Sequence, residues 1–193
     1  MLSDNHNKLT EKQTIFTIGH SNMDLNSFIK LFKDNEIQVL VDVHSNPYSR
    51  FASQFNKVNI QKAIQENGLR YLFLGKELGG RPKEREFYDS EGYVLYLKIA
   101  ESPLFKEGID RLIAGLKKYR VTIMCSEENP VNCHRRLLVC RVLFEKDIKI
   151  FHIRGDGRIQ SENEVNEEAN RNKKDDRQQM LFDPLSGSIN IQN

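Results

Sequence analysis

No stretch of this chain stays apolar long enough to span a membrane, and residues 1–13 are too polar for a signal peptide. Cysteine is scarce: there are three, an odd number that does not suit a disulfide framework. These shortages point to a cytoplasmic chain with free thiols and no membrane partner. Two nucleotide signatures are also missing. The glycine-rich stretch Gly75–Pro82 (Gly-Lys-Glu-Leu-Gly-Gly-Arg-Pro) fits neither the Walker loop nor the dinucleotide fingerprint. There is no internal repeat and no Cys-x-x-Cys pair. Cys125, Cys133 and His134 offer three ligands only, so neither a metal nor another cofactor is expected.

The 193 residues suffice for one real core with an appendage. A net charge of +2 hides an asymmetry. From Gly155 to the end there are five Lys/Arg and eight Asp/Glu, a net of −3, which leaves +5 on the preceding body. A mildly basic body is compatible with a nucleic-acid partner.

The chain is organised around Val121–Phe144. It reads as a buried strand over Val121–Cys125, a polar loop ended by Pro130 and Asn132, and a helix starting near Cys133 that is apolar almost all round. His134, Arg135 and Arg136 occupy its first turn, where the helix dipole disfavours cations. Their placement there suggests a visiting anion, most simply a phosphate. The plainer alternative is that the arginines pair with Glu127, Glu128 or another carboxylate and tie the loop down.

Further strands are expected at Thr14–Ile18, Val39–Val43, Arg70–Leu74 and Lys149–Ile153. Helices are expected after Asp24 and over Val58–Glu66, Tyr93–Ala100 and Pro103–Lys118. This alternation predicts an α/β fold, a mainly parallel five-stranded sheet covered by helices. The expected divisions are a flexible N-terminus (1–13), an α/β domain (14–154) and a polar flexible tail (155–193). In a parallel sheet the C-terminal strand ends share one rim, so His20, Ser21, Asp42, His44, Lys76, Glu77, Cys125 and Glu127 are brought together there. Arg50, Arg81 and the turn Cys133-His134-Arg135 join from loops. His20, Asp42, Glu127, Cys133 and His134 are the candidate catalytic groups. Ser21, Arg50, Lys76, Arg81 and Arg135 are the candidate phosphate ligands.

Several of these motifs together resemble one family, the domain of unknown function numbered 488. They are Thr17-Ile18-Gly19-His20-Ser21, Asp42-Val43 through Pro47, Ser49, Arg50 and Phe55, Leu74-Gly75 with Leu78-Gly79-Gly80, and Cys125-x-Glu127-x-x-Pro130-x-x-Cys133-His134-Arg135. His44 departs from the pattern, where the family is expected to carry arginine after Asp-Val. The resemblance implies a compact α/β domain and a single site at these positions, but no reaction.

Near the C-terminus, Gln178-Gln179-Met180-Leu181-Phe182 looks like the short motif by which bacterial DNA-processing proteins dock on the sliding clamp, with Gln178, Leu181 and Phe182 as its fixed positions. The alternative is that its apolar residues fold back onto the domain. The leading expectation is therefore an enzyme acting on DNA or a nucleotide, in repair or in processing of a modified base or strand end, recruited through this tail. One alternative is a cysteine-dependent enzyme on a small phosphorylated or sulfur-bearing substrate, with Cys133 or Cys125 as nucleophile. Another is a non-catalytic nucleic-acid-binding module.

Overall fold

The computed structural model describes residues 13–175 of the chain. The clamp-like positions Gln178, Leu181 and Phe182, and all of the expected flexible start (1–13) except Gln13, lie outside the described residues.

β1 (Thr14–Gly19) leads to α1 (Leu25–Asp34), which is started by Asp24, whose carboxylate accepts from the Ser27 amide at 3.0 Å. β2 (Val39–Asp42) is followed by α2 (Lys57–Glu66), β3 (Arg70–Phe73) and the single turn α3 (Gly75–Leu78). α4 (Tyr96–Glu101) and α5 (Pro103–Leu116) come next. α5 is opened by Ser102, which caps the Phe105 amide, and by Pro103 in its first turn, where a missing N–H costs nothing. β4 (Val121–Cys125) leads through a loop to a π-helical segment, Arg135–Cys140, which continues as α6 (Arg141–Glu145). β5 (Lys149–Ile153), β6 (Ile159–Ser161) and α7 (Glu162–Asp175) complete the described chain.

The fold is α/β, as the alternation predicted. The sheet has six strands rather than five, in the order β3-β2-β4-β1-β5-β6; the first five are parallel, and β6 runs antiparallel to β5. β1, β2 and β4 are buried on both faces and read as near-continuous apolar runs, whereas β5 is exposed at Lys149 and half-buried at Phe151. Phe28, Ile29 and Phe32 of α1 and Ile60 and Ile64 of α2 pack on one face, against Phe16, Ile18, Leu40 and Met124. Phe105, Ile109 and Leu112 of α5, with Leu138, Val139 and Leu143, pack on the other, against Ile15, Val41, Ile123 and Ile150. The connections after β1 and β2 therefore leave to one face and those after β3 and β4 to the other. β4 lies between β1 and β2, so the chain parts at its C-terminal end, the place where open α/β sheets bind ligands.

The segment expected to be a flexible tail from Gly155 folds through β6 and α7. The reason is a pair of buried bases. Arg136 donates Nε–H to Glu162 Oε1 at 2.8 Å, and His152 Nε2 lies 2.8 Å from Glu162 Oε2; Arg136 also bonds Asn166. His152 is fully buried and Arg136 nearly so, and a polar helix is held because it satisfies them. Val165 adds one buried apolar side chain. Among the described residues, no helix is long and apolar enough to cross a membrane.

Candidate functional site

Two polar clusters meet at the rim. The first lies on the face covered by α1 and α2. Asp42, fully buried at the end of β2, accepts from the His44 amide at 3.0 Å, and its Oδ1 is 2.7 Å from His44 Nδ1. Its other oxygen accepts from the Tyr71 hydroxyl at 2.6 Å. Tyr71 pairs with Leu40 across the parallel ladder, which puts it one diagonal step from Asp42 on the same face. His20 Nδ1 lies 2.7 Å from the Ser21 carbonyl, and its Nε2 faces His44 Nε2 at 3.3 Å. Phe55 stacks on the His20 ring at 4.1 Å and fixes its plane.

The hydrogen-bond logic of this chain is tight. Each Nδ1 meets an acceptor and must donate to it, so both Nε2 atoms turn towards each other. A bond between them requires one proton shared by the two rings. Burial drives the His20 pKa down to about 4, with the Ser21 carbonyl opposing. Burial works against ionised Asp42, but its bonds from His44 and Tyr71 prevail and hold its pKa below the usual carboxylate value. Tyr71 is pushed up, by burial first and the Asp42 charge second.

The second cluster lies on the opposite face. Cys125, ending β4, and Cys133, opening the turn before the π-helical segment, are both buried. Their sulfurs donate to the same oxygen, Glu127 Oε2, at 2.9 and 3.1 Å. His134 presents Nδ1 to Cys125 Sγ at 3.4 Å, while its Nε2 reaches the Val43 carbonyl at 3.1 Å. Glu127 as a residue remains exposed, so its carboxylate covers the buried thiols from the solvent side. Burial would raise Glu127, but the two thiol bonds outweigh it and hold the carboxyl down to about 2. Burial also works against the Cys133 thiolate, yet the bond from Cys125, the Arg135 charge and His134 bring that thiol well below its ordinary value; Cys125 is driven the other way. The pair gives up a first proton readily and a second with difficulty. His134 is raised, since Cys133 and Glu127 override its burial.

Glycines let the loops carrying these groups touch. A Cβ on Gly19 would sit 1.7 Å from the Glu127 carbonyl oxygen, and one on Gly80 would sit 2.5 Å from His134 Cβ. A side chain at either position would push one rim loop off another.

The structure sorts the expected residues. His20, Asp42, Glu127, Cys133 and His134 all reach the rim clusters. Ser21, Arg50, Lys76 and Arg81 are exposed, and among the described residues none of those three cations has a carboxylate at ion-pair distance. Arg81 follows Gly80, and its amide bonds Ser45 Oγ at 2.8 Å, which ties its loop to the one after β2.

Arg135 is the correction. It is fully buried, and its guanidinium donates to the carbonyls of Glu127 and Glu128 and to Thr17 Oγ1, so no donor is turned outward to a phosphate. Arg136 pairs inward with Glu162. The π-helical turn carries both side chains into the protein.

His44 and Tyr71 complete the first cluster without having been selected as site residues. His44 stood out at its strand end; nothing in the sequence marks Tyr71 before the strand register is known. Tyr96 also belongs beside the thiols: burial first, then the Cys133, Cys125 and Glu127 charges, raise its hydroxyl pKa. A groove of about 450 Å³, lined by Val41, Arg70, Tyr71, Arg111, Leu112 and Tyr119 among others, includes Tyr71 but none of the other groups named here.

No curated protein and no solved structure matches the chain. One family model does, over residues 24–142, and this span takes in Asp42, Glu127 and the Cys133-His134 turn. The chain therefore belongs to the family described as domain of unknown function DUF488.

Proposed function

We propose that this protein is an enzyme that processes a nucleotide or a DNA end, using the Asp42–His44–His20 chain to move a proton while cations on the rim hold phosphate. The observation that carries the reading is that His20 Nε2 and His44 Nε2 face each other 3.3 Å apart at the strand ends. Asp42 orients His44, as a buried carboxylate does for a catalytic histidine. A proton passed between these two nitrogens would suit a leaving oxygen or base nitrogen, and the emptied pair would then take a proton from water.

Phosphate recognition falls to Arg50, Lys76 and Arg81, which are exposed and free of carboxylate partners among the described residues. A base has somewhere to stack. Tyr48 and Phe51 are 70% and 81% exposed on the loop after His44, and the Arg50 guanidinium lies 5.1 Å from the Phe51 ring centroid. Large aromatics on a solvated loop beside cations suit a nucleobase better than a small inorganic anion.

The test is a panel of nucleotides, abasic and modified oligonucleotides, and strand ends incubated with the full chain and resolved by chromatography. Turnover should vanish in His44→Ala with binding retained. Arg50→Ala and Arg81→Ala should instead weaken binding and lower its salt dependence by about one ion each. Wild-type protein that neither binds nor converts any member of the panel would overturn the reading.

A further inference from the structure

We infer that Cys125, Cys133, His134 and Glu127 form a binding site for one thiophilic divalent metal ion of the zinc class. The ligand atoms of these four residues all lie within 4.8 Å of one another. A tetrahedral ion with bonds of about 2.0–2.3 Å needs donor separations of roughly 3.3–3.8 Å, so filling the site takes small side-chain adjustments and no backbone movement.

Three features besides proximity point to a cation. The first is the direction of His134. Its Nε2 is occupied by the Val43 carbonyl, which as an acceptor requires that nitrogen to carry the hydrogen. The lone pair on Nδ1 is thereby aimed at Cys125. A backbone carbonyl that fixes the far nitrogen of a ligand histidine is the usual outer support of a metal site.

The second is a convergence of lone pairs. Two thiols direct their hydrogens onto a single carboxylate oxygen, and the imidazole adds a fourth donor atom to the same small space. Four electron-pair donors face each other there, and only the thiol protons lie between them. A divalent ion would displace these protons: two S–H bonds break, two metal–sulfur bonds form, and two protons leave to solvent.

The third is Arg135. Its guanidinium is wholly buried, yet all its bonds go to neutral oxygens, and no carboxylate among the described residues lies at ion-pair distance. An isolated buried charge is costly. Two thiolates, one carboxylate and a neutral histidine around a divalent ion carry a net charge of −1, which the adjacent guanidinium neutralises.

The four ligands are not equivalent. Cys125 and Cys133 are buried, and His134 is half-buried under Gly80, whereas Glu127 belongs to an exposed loop residue. Glu127 is therefore the ligand that water or a substrate atom can replace, leaving the two sulfurs and the imidazole to hold the ion. That is the ligand count of a metal centre with an exchangeable position. The site does not depend on the proton relay or on a nucleotide substrate.

Metal content and cobalt spectroscopy on the full chain test this directly, with no substrate present. Protein freed of metal by chelation under reducing conditions is titrated with Co²⁺ alone. One equivalent per chain should produce the near-ultraviolet sulfur-to-cobalt charge-transfer band and an intense tetrahedral visible band, and Zn²⁺ should abolish both. Glu127→Gln should keep the charge-transfer band while weakening affinity by about tenfold, whereas Cys133→Ser should lower affinity by roughly 100-fold and reduce the band. Cys140→Ala, which alters a core thiol outside the cluster, should bind as wild type. Folded wild-type protein that takes up Co²⁺ without the sulfur band, or takes up none, would overturn the inference. So would unchanged affinity in folded Cys133→Ser, or a Cys125–Cys133 disulfide that persists under reducing conditions and excludes metal.

Discussion

Replacing His20 with phenylalanine should flatten the acid side of the stability curve. His20 is buried against Phe55, and its pKa in the folded chain is about 4 against an ordinary 6.5. Between those values the unfolded chain binds a proton that the folded chain refuses. The contribution is thus fully present above pH 6.5 and is lost as the pH falls towards 4. The whole shift is worth about 3 kcal/mol, of which about 2 kcal/mol is gone by pH 5. With a urea dependence of roughly 2 kcal/mol per molar, the wild-type midpoint should drop by about 1 M more than the variant's between pH 7.5 and 5. Phenylalanine keeps the ring against Phe55 and removes the titration. His152, also depressed by burial, contributes to the slope of both proteins and cancels in the comparison. The lowered carboxyls Asp42, Glu127 and Glu128 add their losses mainly below this window. Equal midpoint losses in the two proteins would refute the claim that His20 is held neutral by burial.

Three other outcomes follow from contacts at and behind the rim. Gly19→Ala places a Cβ 1.7 Å from the Glu127 carbonyl oxygen and should cost about 3 kcal/mol, the upper range for overpacking, as read by urea unfolding. Arg135→Met removes the donors that hold the carbonyls of Glu127 and Glu128. It should destabilise by about 3 kcal/mol, and amide exchange at residues 126–129 should accelerate well beyond the change elsewhere. Glu162→Gln strips the charge that faces Arg136 and His152; a loss of about 3 kcal/mol and freer exchange throughout α7 are expected, and exchange unchanged from wild type would show that α7 is held by something else.

The five parallel strands were legible because each is a short run of β-branched and aromatic residues punctuated by polar loops. Their observed bounds differ from the expected ones by a residue at most, as at Val39–Asp42. The rim was legible for the same reason: once the strands are parallel, His20, Asp42, Cys125 and Glu127 must share an edge. β6 and α7 were hidden because their docking depends on Glu162 meeting Arg136 and His152, residues 26 and 10 positions away, and composition carries no trace of that meeting. Arg135 misled for a related reason. A cation in a first helical turn signals an anion when the turn faces solvent, and here the π-helical turn faces inward, so carbonyl oxygens take the guanidinium. The thiol pair was visible, but the carboxylate that joins it was not seen as a ligand, because Cys125 and Glu127 sit two residues apart where the chain leaves the sheet.

The close approaches at Gly19 and Gly80 bear on how this rim can meet what it binds. Main chain there rests against main chain or against His134 itself, so the His20, Glu127 and His134 loops cannot slide past one another to suit a visitor. Little reorganisation is then left for the moment of binding, and the polar groups stand already aimed. Adjustment to differently shaped molecules has to come instead from the solvated stretch bearing Tyr48, Arg50 and Phe51, which stands outside those contacts. On the proposed function, chemistry and selectivity would fall to separate pieces of the chain, and the second could be rewritten without disturbing the first.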